Sequence, residues 1–457
     1  MSLTAESPLH SSSSSDDFAA FLASELELDS SDTSPCDENV LDDGEADLQE
    51  PRIKRQRVEV LEVTATLEGS MTGGTSQENI GTSLKASDEI KCPPHPVSYG
   101  GLCGICGKLV EDEVSGVPLR YIDKALRLTS SEIDRLRQAD LKDLLRKRKL
   151  ILILDLDHTL LNSVLFAELS SEEQYLIQHT DSLQGDPNRS IFKLNNMHLL
   201  TKLRPFVRTF LEEASSMFEM YVYTMGKRPY ALEMAKLLDP KKVYFNSKVI
   251  SYDDSVEEHQ KGLDLILGAE SIIMILDDTH RVWERHKENL ILMKRYHFFT
   301  ASYCKFHINA KSGRELKKDE GESDGALATI LEILKHAHRS FFDTENKDHK
   351  TDLSSRDVRQ VLKEIRKEIL RGCKIFFSPV LPYRSREIPI WEMAQQMGAI
   401  CSREVHSSVT HVITVDKNAE EARWALQKKK FLVIPDWIEE AYYSWDRKQE
   451  EDFQIGC

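Results

Sequence analysis

The sequence feature that most constrains the fold is an unbroken apolar run at residues 150–154, which ends abruptly in the pentapeptide Asp155-Leu156-Asp157-His158-Thr159. A continuous run of Leu and Ile bounded by polar residues predicts a strand buried on both faces, as in the middle of a parallel sheet. Open α/β sheets bind ligands beyond the carboxyl ends of their strands. The two carboxylates at this end are therefore expected to meet around a cation, which suits phosphoryl chemistry.

The same pattern occurs twice more, in residues 220–223 before Thr224 and in residues 272–276 before Asp277 and Asp278. Between the first two strands, apolar residues at helical spacing from Pro205 onward predict a crossover helix. Strands alternating with helices predict an α/β fold with a doubly wound parallel sheet.

Net charge and apolar patterning limit the class of protein. The formal net charge of -16 comes mostly from residues 1–50, which hold fourteen Asp and Glu and no Lys or Arg, so the remainder is nearly balanced. No stretch of about 18 apolar residues occurs, and the N-terminus lacks a basic-then-apolar leader. The eight cysteines are too sparse for a disulfide framework. We expect a soluble intracellular protein with reduced thiols, with no membrane partner and no direct nucleic-acid partner.

Residues 1–88 are rich in Ser, Asp and Glu and poor in aromatic residues, which predicts a disordered acidic arm. Apolar residues between 18 and 28 could form a short partner-binding helix, or they could be incidental in a solvating tail. A compact basic cluster at residues 51–57 is typical of nuclear import signals, although such clusters also arise by chance.

Cys92-x2-His95 followed by Cys103-x2-Cys106 offers four soft ligands in two close pairs. Tetrahedral Zn²⁺ takes such a set, which predicts a small structural zinc knuckle without a catalytic role. Free cysteines in a flexible segment could produce the same spacing.

The remaining pattern divides the chain into segments. Residues 113–146 are charged and are predicted to form a helical lead-in, residues 326–342 an amphipathic helix, and residues from about 371 onward a second, smaller α/β domain. The predicted organisation is a disordered arm (1–88), a zinc knuckle (89–112), a helical lead-in (113–146), a catalytic domain (147–343), a linker with a helix (344–366) and a terminal α/β domain (367–457).

Hydrolysis of a phosphate monoester needs a nucleophile, an acid for the leaving alkoxide and positive charge against the phosphoryl oxygens. Asp155 can attack phosphorus to form an aspartyl-phosphate, and Asp157 can protonate the leaving oxygen. Mg²⁺ held by Asp155, Asp157 and Asp278 would balance the charge. Thr224 can hydrogen-bond a phosphoryl oxygen, and Lys261 can supply a further cation.

The pentapeptide has two other interpretations. A calcium loop needs an oxygen ligand and then Gly at its fifth and sixth positions, but Thr159 and Leu160 occupy them, which excludes this interpretation. A solvated turn would explain the pentapeptide alone. It does not explain three strand ends that carry acid, hydroxyl and acid in order.

The stretches 154–162, 202–205 (Lys-Leu-Arg-Pro), 221–226 and Asp277-Asp278 resemble the RNA polymerase II C-terminal-domain phosphatases of the haloacid dehalogenase superfamily, and most closely the plant phosphatase-like proteins. The resemblance implies that Asp155 is the nucleophile, that Asp157 is the acid/base and binds metal through its backbone carbonyl, and that Asp278 binds metal. It further implies phosphate contacts from Thr224, Lys261 and Arg204, with Thr159 and Asp277 in support.

The resemblance also implies a nuclear protein phosphatase that acts on phosphoserine in the heptad repeats of the polymerase, with Mg²⁺ as cofactor, Mn²⁺ or Co²⁺ as substitutes, and general transcription factor subunits as partners. Only 36 residues separate Thr224 from Lys261, which leaves little room for a large cap domain and suits a polypeptide substrate.

The terminal domain resembles BRCT domains through residues 398–399, 409–413 and 435–438. Trp437 is predicted to be a core residue of the last helix. BRCT domains often bind phosphate through Ser or Thr followed by Gly, but here Pro379 follows Ser378 and has no N–H to donate. We therefore expect a docking role without phosphate binding at that loop.

Two rival functions remain. A phosphoprotein-binding adaptor could keep the catalytic fold as a scaffold, although a scaffold has no need for the complete set of acids, hydroxyl and lysine. A small-molecule phosphatase of the same superfamily is the other.

Overall fold

The computed structural model describes residues 92, 95–110, 116–257, 259–305, 319–343, 353–379, 381 and 388–455. The predicted acidic arm, its apolar segment and the basic cluster lie outside the described residues. None of the described helices combines the length and apolar character needed to cross a membrane.

A five-stranded parallel sheet forms the centre of the catalytic domain, and every residue of its middle strand is buried. Its strands, in spatial order, are β10 (Val249–Ile250), β9 (Phe218–Tyr223), β5 (Leu150–Leu154), β11 (Ile273–Asp277) and β12 (Leu290–Leu292). The three predicted strands are therefore present and adjacent. They could be recognised in the sequence because strands covered on both faces are apolar along their length.

Helices cover this sheet and make it doubly wound, as predicted. The helices of the catalytic domain are α1 (Ser130–Arg146), α2 (Tyr175–Ser182), α3 (Val207–Met217), α4 (Arg228–Leu238), α5 (Thr300–Lys305) and α6 (Ala326–Phe342). The crossover helix begins at Val207 rather than at Pro205, because Phe206 has a left-handed backbone with φ of 69°. The amphipathic helix α6 has the predicted bounds.

An antiparallel sheet that the sequence did not predict is inserted between β5 and the crossover helix. It consists of β6 (Leu161–Leu165), β8 (Leu199–Leu203) and β7 (Ile191–Leu194), in that spatial order. β6 starts two residues after Thr159, so the chain turns directly from the pentapeptide into this sheet.

The predicted helical lead-in at residues 113–146 is wrong in its first half. Residues 117–118 (β3) and 126–128 (β4) are strands, paired in a small antiparallel sheet with β1 (Val97–Tyr99) and β2 (Leu102–Cys103). Among the described residues of this segment only α1 forms an α-helix, and its first turn is capped by the side chain of Thr129, which accepts from the Glu132 amide. Two- and three-residue strands have too little periodicity to identify, and their partner strand precedes them in the chain.

The terminal domain has a four-stranded parallel sheet in the spatial order β14, β13, β15, β16. Its elements are α7 (Val358–Glu368), β13 (Lys374–Phe377), α8 (Ile390–Gln396), β14 (Ile400–Ser402), β15 (His411–Ile413), α9 (Glu420–Gln427), β16 (Phe431–Val433) and α10 (Asp436–Ser444). Trp437 is fully buried, which confirms it as a core residue.

Candidate active site

The carboxyl ends of three adjacent strands bring the predicted polar residues together. Asp155 follows β5, Thr224 follows β9, and Asp277 and Asp278 lie at the end of β11. Leu154 at the end of β5 pairs with Val222 on one side and with Leu276 on the other. The four polar residues are buried to 6% exposure or less. This convergence follows from the parallel order of the strands, which places like ends at one edge of the sheet.

Lys261 lies between two of these carboxylates. Its Nζ is 2.7 Å from Asp155 Oδ1 and 2.6 Å from Asp277 Oδ2. Burial alone would lower the pKa of the Lys261 ammonium, but the two carboxylates outweigh burial and raise it. Lys261 is therefore a fixed positive charge beside Asp155.

Asp277 holds this lysine in place. Its Oδ2 also accepts from the indole Nε1 of Trp283 at 2.8 Å, and its Oδ1 accepts from the Thr279 amide at 2.8 Å. With both oxygens engaged, Asp277 orients Lys261 rather than presenting a free ligand. Trp283 was not identified from sequence, because its link to Asp277 depends on the turn after β11.

One carboxylate oxygen from each of Asp155, Asp277 and Asp278 lies within 4.8 Å of the other two. Burial raises the pKa of the Asp155 carboxyl well above its usual range, Lys261 opposes this, and the other two carboxylates raise it further. Asp278 Oδ2 is also 2.7 Å from Arg295 Nε. No motif identified Arg295 in advance, because only the fold brings it to the site. Such a cluster of carboxylates can hold a hard cation.

Asp157 lies outside that cluster of carboxylates. Its Oδ1 accepts a hydrogen bond from the hydroxyl of Tyr230, and its buried Oδ2 has no hydrogen-bond partner among the described residues. Burial raises the pKa of the Asp157 carboxyl to about 7, although the hydrogen bond from Tyr230 lowers it. A carboxyl with a pKa near neutrality can serve as both acid and base.

Tyr230 is a site residue that the sequence analysis missed. Its hydroxyl also lies 3.0 Å from Ser163 Oγ, which in turn lies 2.9 Å from Thr201 Oγ1. The sequence indicated this role only weakly. The one available signal is the position of Tyr230 in the first turn of α4, the helix that follows β9 and Thr224. Thr159, predicted to support the site, is fully buried, and its Oγ1 has no hydrogen-bond partner in the described part of the chain.

Thr224 is fixed by the turn that follows β9. Its amide donates to the carbonyl of Ile250 at 3.0 Å, and its Oγ1 accepts from the Gly226 amide at 3.0 Å. The hydroxyl proton is therefore left to donate to an acceptor such as a phosphoryl oxygen.

Arg204 is not placed as a phosphate ligand. Its guanidinium is fully buried and forms two hydrogen bonds with Glu320, at 2.9 and 2.7 Å. The carbonyl of Thr159 accepts from Nη1 and that of Lys294 from Nη2, each at 2.9 Å. The resemblance implied a phosphate contact, but these bonds leave no well-placed N–H for a substrate. Arg204 instead ties the end of the pentapeptide to residues 294 and 320.

The second predicted ligand set is also assembled, away from this site. Ligand atoms of Cys92, His95, Cys103 and Cys106 lie within 4.8 Å of one another. The sequence spacing therefore predicted which four side chains meet.

Comparisons with known proteins agree with this geometry. Residues 150–312 match the family described as NLI interacting factor-like phosphatase, and residues 366–442 match the BRCA1 C Terminus (BRCT) domain. The chain is 49% identical over 460 residues to RNA polymerase II C-terminal domain phosphatase-like 4 of Arabidopsis thaliana, covering all of this chain and 98% of that protein. It is 38% identical to phosphatase-like 3 of the same plant over 321 residues, which are 68% of this chain and 25% of that protein.

Among solved structures, the chain is similar in fold to Fcp1, described as an essential RNA polymerase II CTD phosphatase. The TM-score is 0.55 at 24% identity, covering 70% of this chain and 100% of that one. Taken with the full-length similarity to the plant protein, these matches show that the chain belongs to the RNA polymerase II C-terminal domain phosphatases, protein serine/threonine phosphatases that join a haloacid dehalogenase-like domain to a BRCT domain.

Proposed function

We propose that this protein is a Mg²⁺-dependent phosphatase that removes phosphate from phosphoserine in the heptad repeats of RNA polymerase II, through an aspartyl-phosphate on Asp155. The observation that carries this proposal is the meeting of Asp155, Lys261 and Asp278 at the ends of adjacent parallel strands. The substrate is taken from the activity for which the relatives are named.

The residues present fit a magnesium ion. Three buried carboxylates with one lysine carry excess negative charge, and burial together with the neighbouring carboxylates raises the pKa of Asp155. Mg²⁺ prefers oxygen ligands and is usually bound by one or two carboxylates. Asp277 is engaged by Lys261 and Trp283, so the carboxylates of Asp155 and Asp278, with the backbone carbonyl of Asp157, are the proposed ligands. The ion would offset the charge of the phosphoryl oxygens. Mn²⁺ or Co²⁺ is expected to substitute.

The protein residues divide the chemistry among them. The carboxylate of Asp155 attacks phosphorus, and Asp157 gives its proton to the departing seryl oxygen. In the second half, Asp157 takes a proton from the water that attacks the phosphorus of the aspartyl-phosphate, and Asp155 leaves as a carboxylate. The Thr224 hydroxyl donates to a phosphoryl oxygen throughout. Lys261 lowers the pKa of the Asp155 carboxyl against the effect of burial and so favours the carboxylate form that attacks.

A cleft beside the site suits a polypeptide substrate. It has a volume of about 510 Å³ and is lined by residues 293–297, by residues 319–321 and 324–326, and by residues of α10 such as Glu440 and Tyr443. Arg295, the partner of Asp278, is part of its wall. An extended peptide could therefore run from the catalytic residues to the BRCT domain. We also propose a nuclear location, supported by the basic cluster at residues 51–57, and contacts with general transcription factor subunits.

The proposal is tested with the purified full-length protein and heptad peptides that each carry one phosphoserine. We expect Mg²⁺-dependent release of phosphate, loss of at least about a thousandfold in Asp155→Asn, and retained activity in the control Asp134→Asn, which alters an exposed carboxylate on α1. Faster turnover of sugar phosphates than of peptides would favour a small-molecule phosphatase. Binding of phosphopeptides without hydrolysis would favour an adaptor.

A further inference from the structure

The four side chains of Cys92, His95, Cys103 and Cys106 have the spacing of a tetrahedral metal site. The Sγ atoms of Cys92 and Cys103 are 3.7 Å apart, and the Sγ of Cys106 is 3.4 Å from Nδ1 of His95. For bond lengths of about 2.3 Å to sulfur and about 2.0 Å to nitrogen, tetrahedral geometry requires S···S of about 3.8 Å and S···N of about 3.5 Å. Both separations agree with that geometry, and 3.7 Å is far longer than a disulfide bond.

The backbone around the second pair supports this geometry. The amide of Ile105 donates to the Sγ of Cys103 at 3.4 Å, a contact that stabilises a thiolate. The amide of Gly107 donates to the carbonyl of Cys103 at 2.9 Å, which closes the turn that carries Cys106. Gly107 has φ of 70°, a value that glycine adopts without strain.

Apolar burial is too small to hold this segment together. Leu102, Ile105 and Leu109 are 49%, 54% and 68% exposed, while Cys103 is buried. Segments of this size without a core are usually stabilised by a metal or by disulfides. The thiols here are free, so a metal is the remaining cross-link.

We infer that Cys92, His95, Cys103 and Cys106 bind one structural Zn²⁺, separate from the active site. Three thiolates and one imidazole favour Zn²⁺ over the hard Mg²⁺. Four protein ligands complete the tetrahedron and leave no position for substrate, so the zinc has no part in hydrolysis.

The site fixes a sheet that supports the catalytic domain. Cys92 and His95 precede β1, Cys103 ends β2 and Cys106 follows it; β1 pairs with both β2 and β4. In this sheet β4 is followed by β3. Tyr121 lies shortly after β3 in the chain, and its carbonyl accepts a hydrogen bond from the guanidinium of Arg228 at 3.2 Å. Arg228 is the first residue of α4, the helix that carries Tyr230. Loss of the zinc should therefore lower the stability of the catalytic domain.

The test is the metal content of the full-length protein, purified without chelator and measured by elemental analysis. We expect one zinc per chain in the wild type and in the control Cys401→Ser, which alters a half-buried thiol of the BRCT domain. The double variant Cys103→Ser/Cys106→Ser should contain none and should melt at a lower temperature. His95→Cys should retain the metal, because four thiolates also bind Zn²⁺.

A second measurement does not depend on the folding of variants. Wild-type protein grown with Co²⁺ should show the intense visible bands of tetrahedral thiolate coordination, and a mercurial reagent should release one equivalent of metal into a colorimetric indicator. Zinc-free wild-type protein, a cobalt spectrum without tetrahedral thiolate bands, or unchanged zinc in the double variant would overturn the inference.

Discussion

Replacing Glu320 with Gln should destabilise the catalytic domain without removing any catalytic group. Glu320 accepts two hydrogen bonds from Arg204, whose side chain is fully buried, while the side chain of Glu320 is 27% exposed. Glu320→Gln leaves the guanidinium buried without a counter-charge. Breaking a buried pair from one side costs about 3–5 kcal/mol.

The expected loss lies somewhat below that range, because Gln keeps one acceptor oxygen and the site is partly exposed. We expect a loss of about 2–3 kcal/mol in the free energy of unfolding, since partial exposure weakens such pairs. For a domain of this size the melting temperature should then fall by about 4–12 °C. The control Glu322→Gln, an exposed residue of the same segment, should change stability by less than about 0.5 kcal/mol.

Thermal unfolding followed by circular dichroism measures the shift, and hydrolysis of an aryl phosphate well below the transition measures catalysis. Adding Arg204→Met to Glu320→Gln should be less harmful than the sum of the single changes, because it removes the stranded charge. Equal melting temperatures for Glu320→Gln and Glu322→Gln would refute the argument. Arg204→Met that melts like the wild type yet cannot hydrolyse the ester would instead make Arg204 a phosphate ligand.

Three further predictions concern other parts of the molecule. Burial raises the pKa of Asp157 to about 7, and the hydrogen bond from Tyr230 lowers it. Tyr230→Phe removes that bond, so the pKa of Asp157 should rise further. The rise should be about one unit if the bond contributes about 1.5 kcal/mol. Because Asp157 must be protonated to act as the acid, the alkaline limb of kcat/KM on a phosphoserine peptide should move to higher pH; a limb that moves to lower pH contradicts this role. Trp437→Ala should destabilise the BRCT domain by about 3–5 kcal/mol in chemical denaturation, whereas Leu426→Ala at an exposed position should have little effect. Lys294→Ala, in the wall of the cleft, should reduce kcat/KM on long heptad peptides and leave aryl phosphate hydrolysis unchanged; equal losses on both substrates would argue against a peptide in the cleft.

The central sheet could be predicted because its strands are buried on both faces. Such strands must be apolar along their whole length, so the boundary before Asp155 is visible without any alternation to interpret. Thr224 after β9 and Asp277-Asp278 at the end of β11 marked the ends of the other two strands in the same way. Strand β6 was not predicted because its partner β8 lies far along the chain, and β3 and β4 because they are only two or three residues long. The hairpin of β7 and β8 was also not predicted.

The sequence by itself determined which residues stand at the ends of the central strands and which four cysteine and histidine ligands are paired, since both follow from residue type and local spacing. Only the tertiary structure decided the partners of those residues. Lys261 and Trp283 meet Asp277, Tyr230 meets Asp157, and Arg204 turns to Glu320 instead of to the site. The physical reason is that a buried charge or hydroxyl must find a partner wherever the folded chain supplies one, and residues distant in sequence supply most of them.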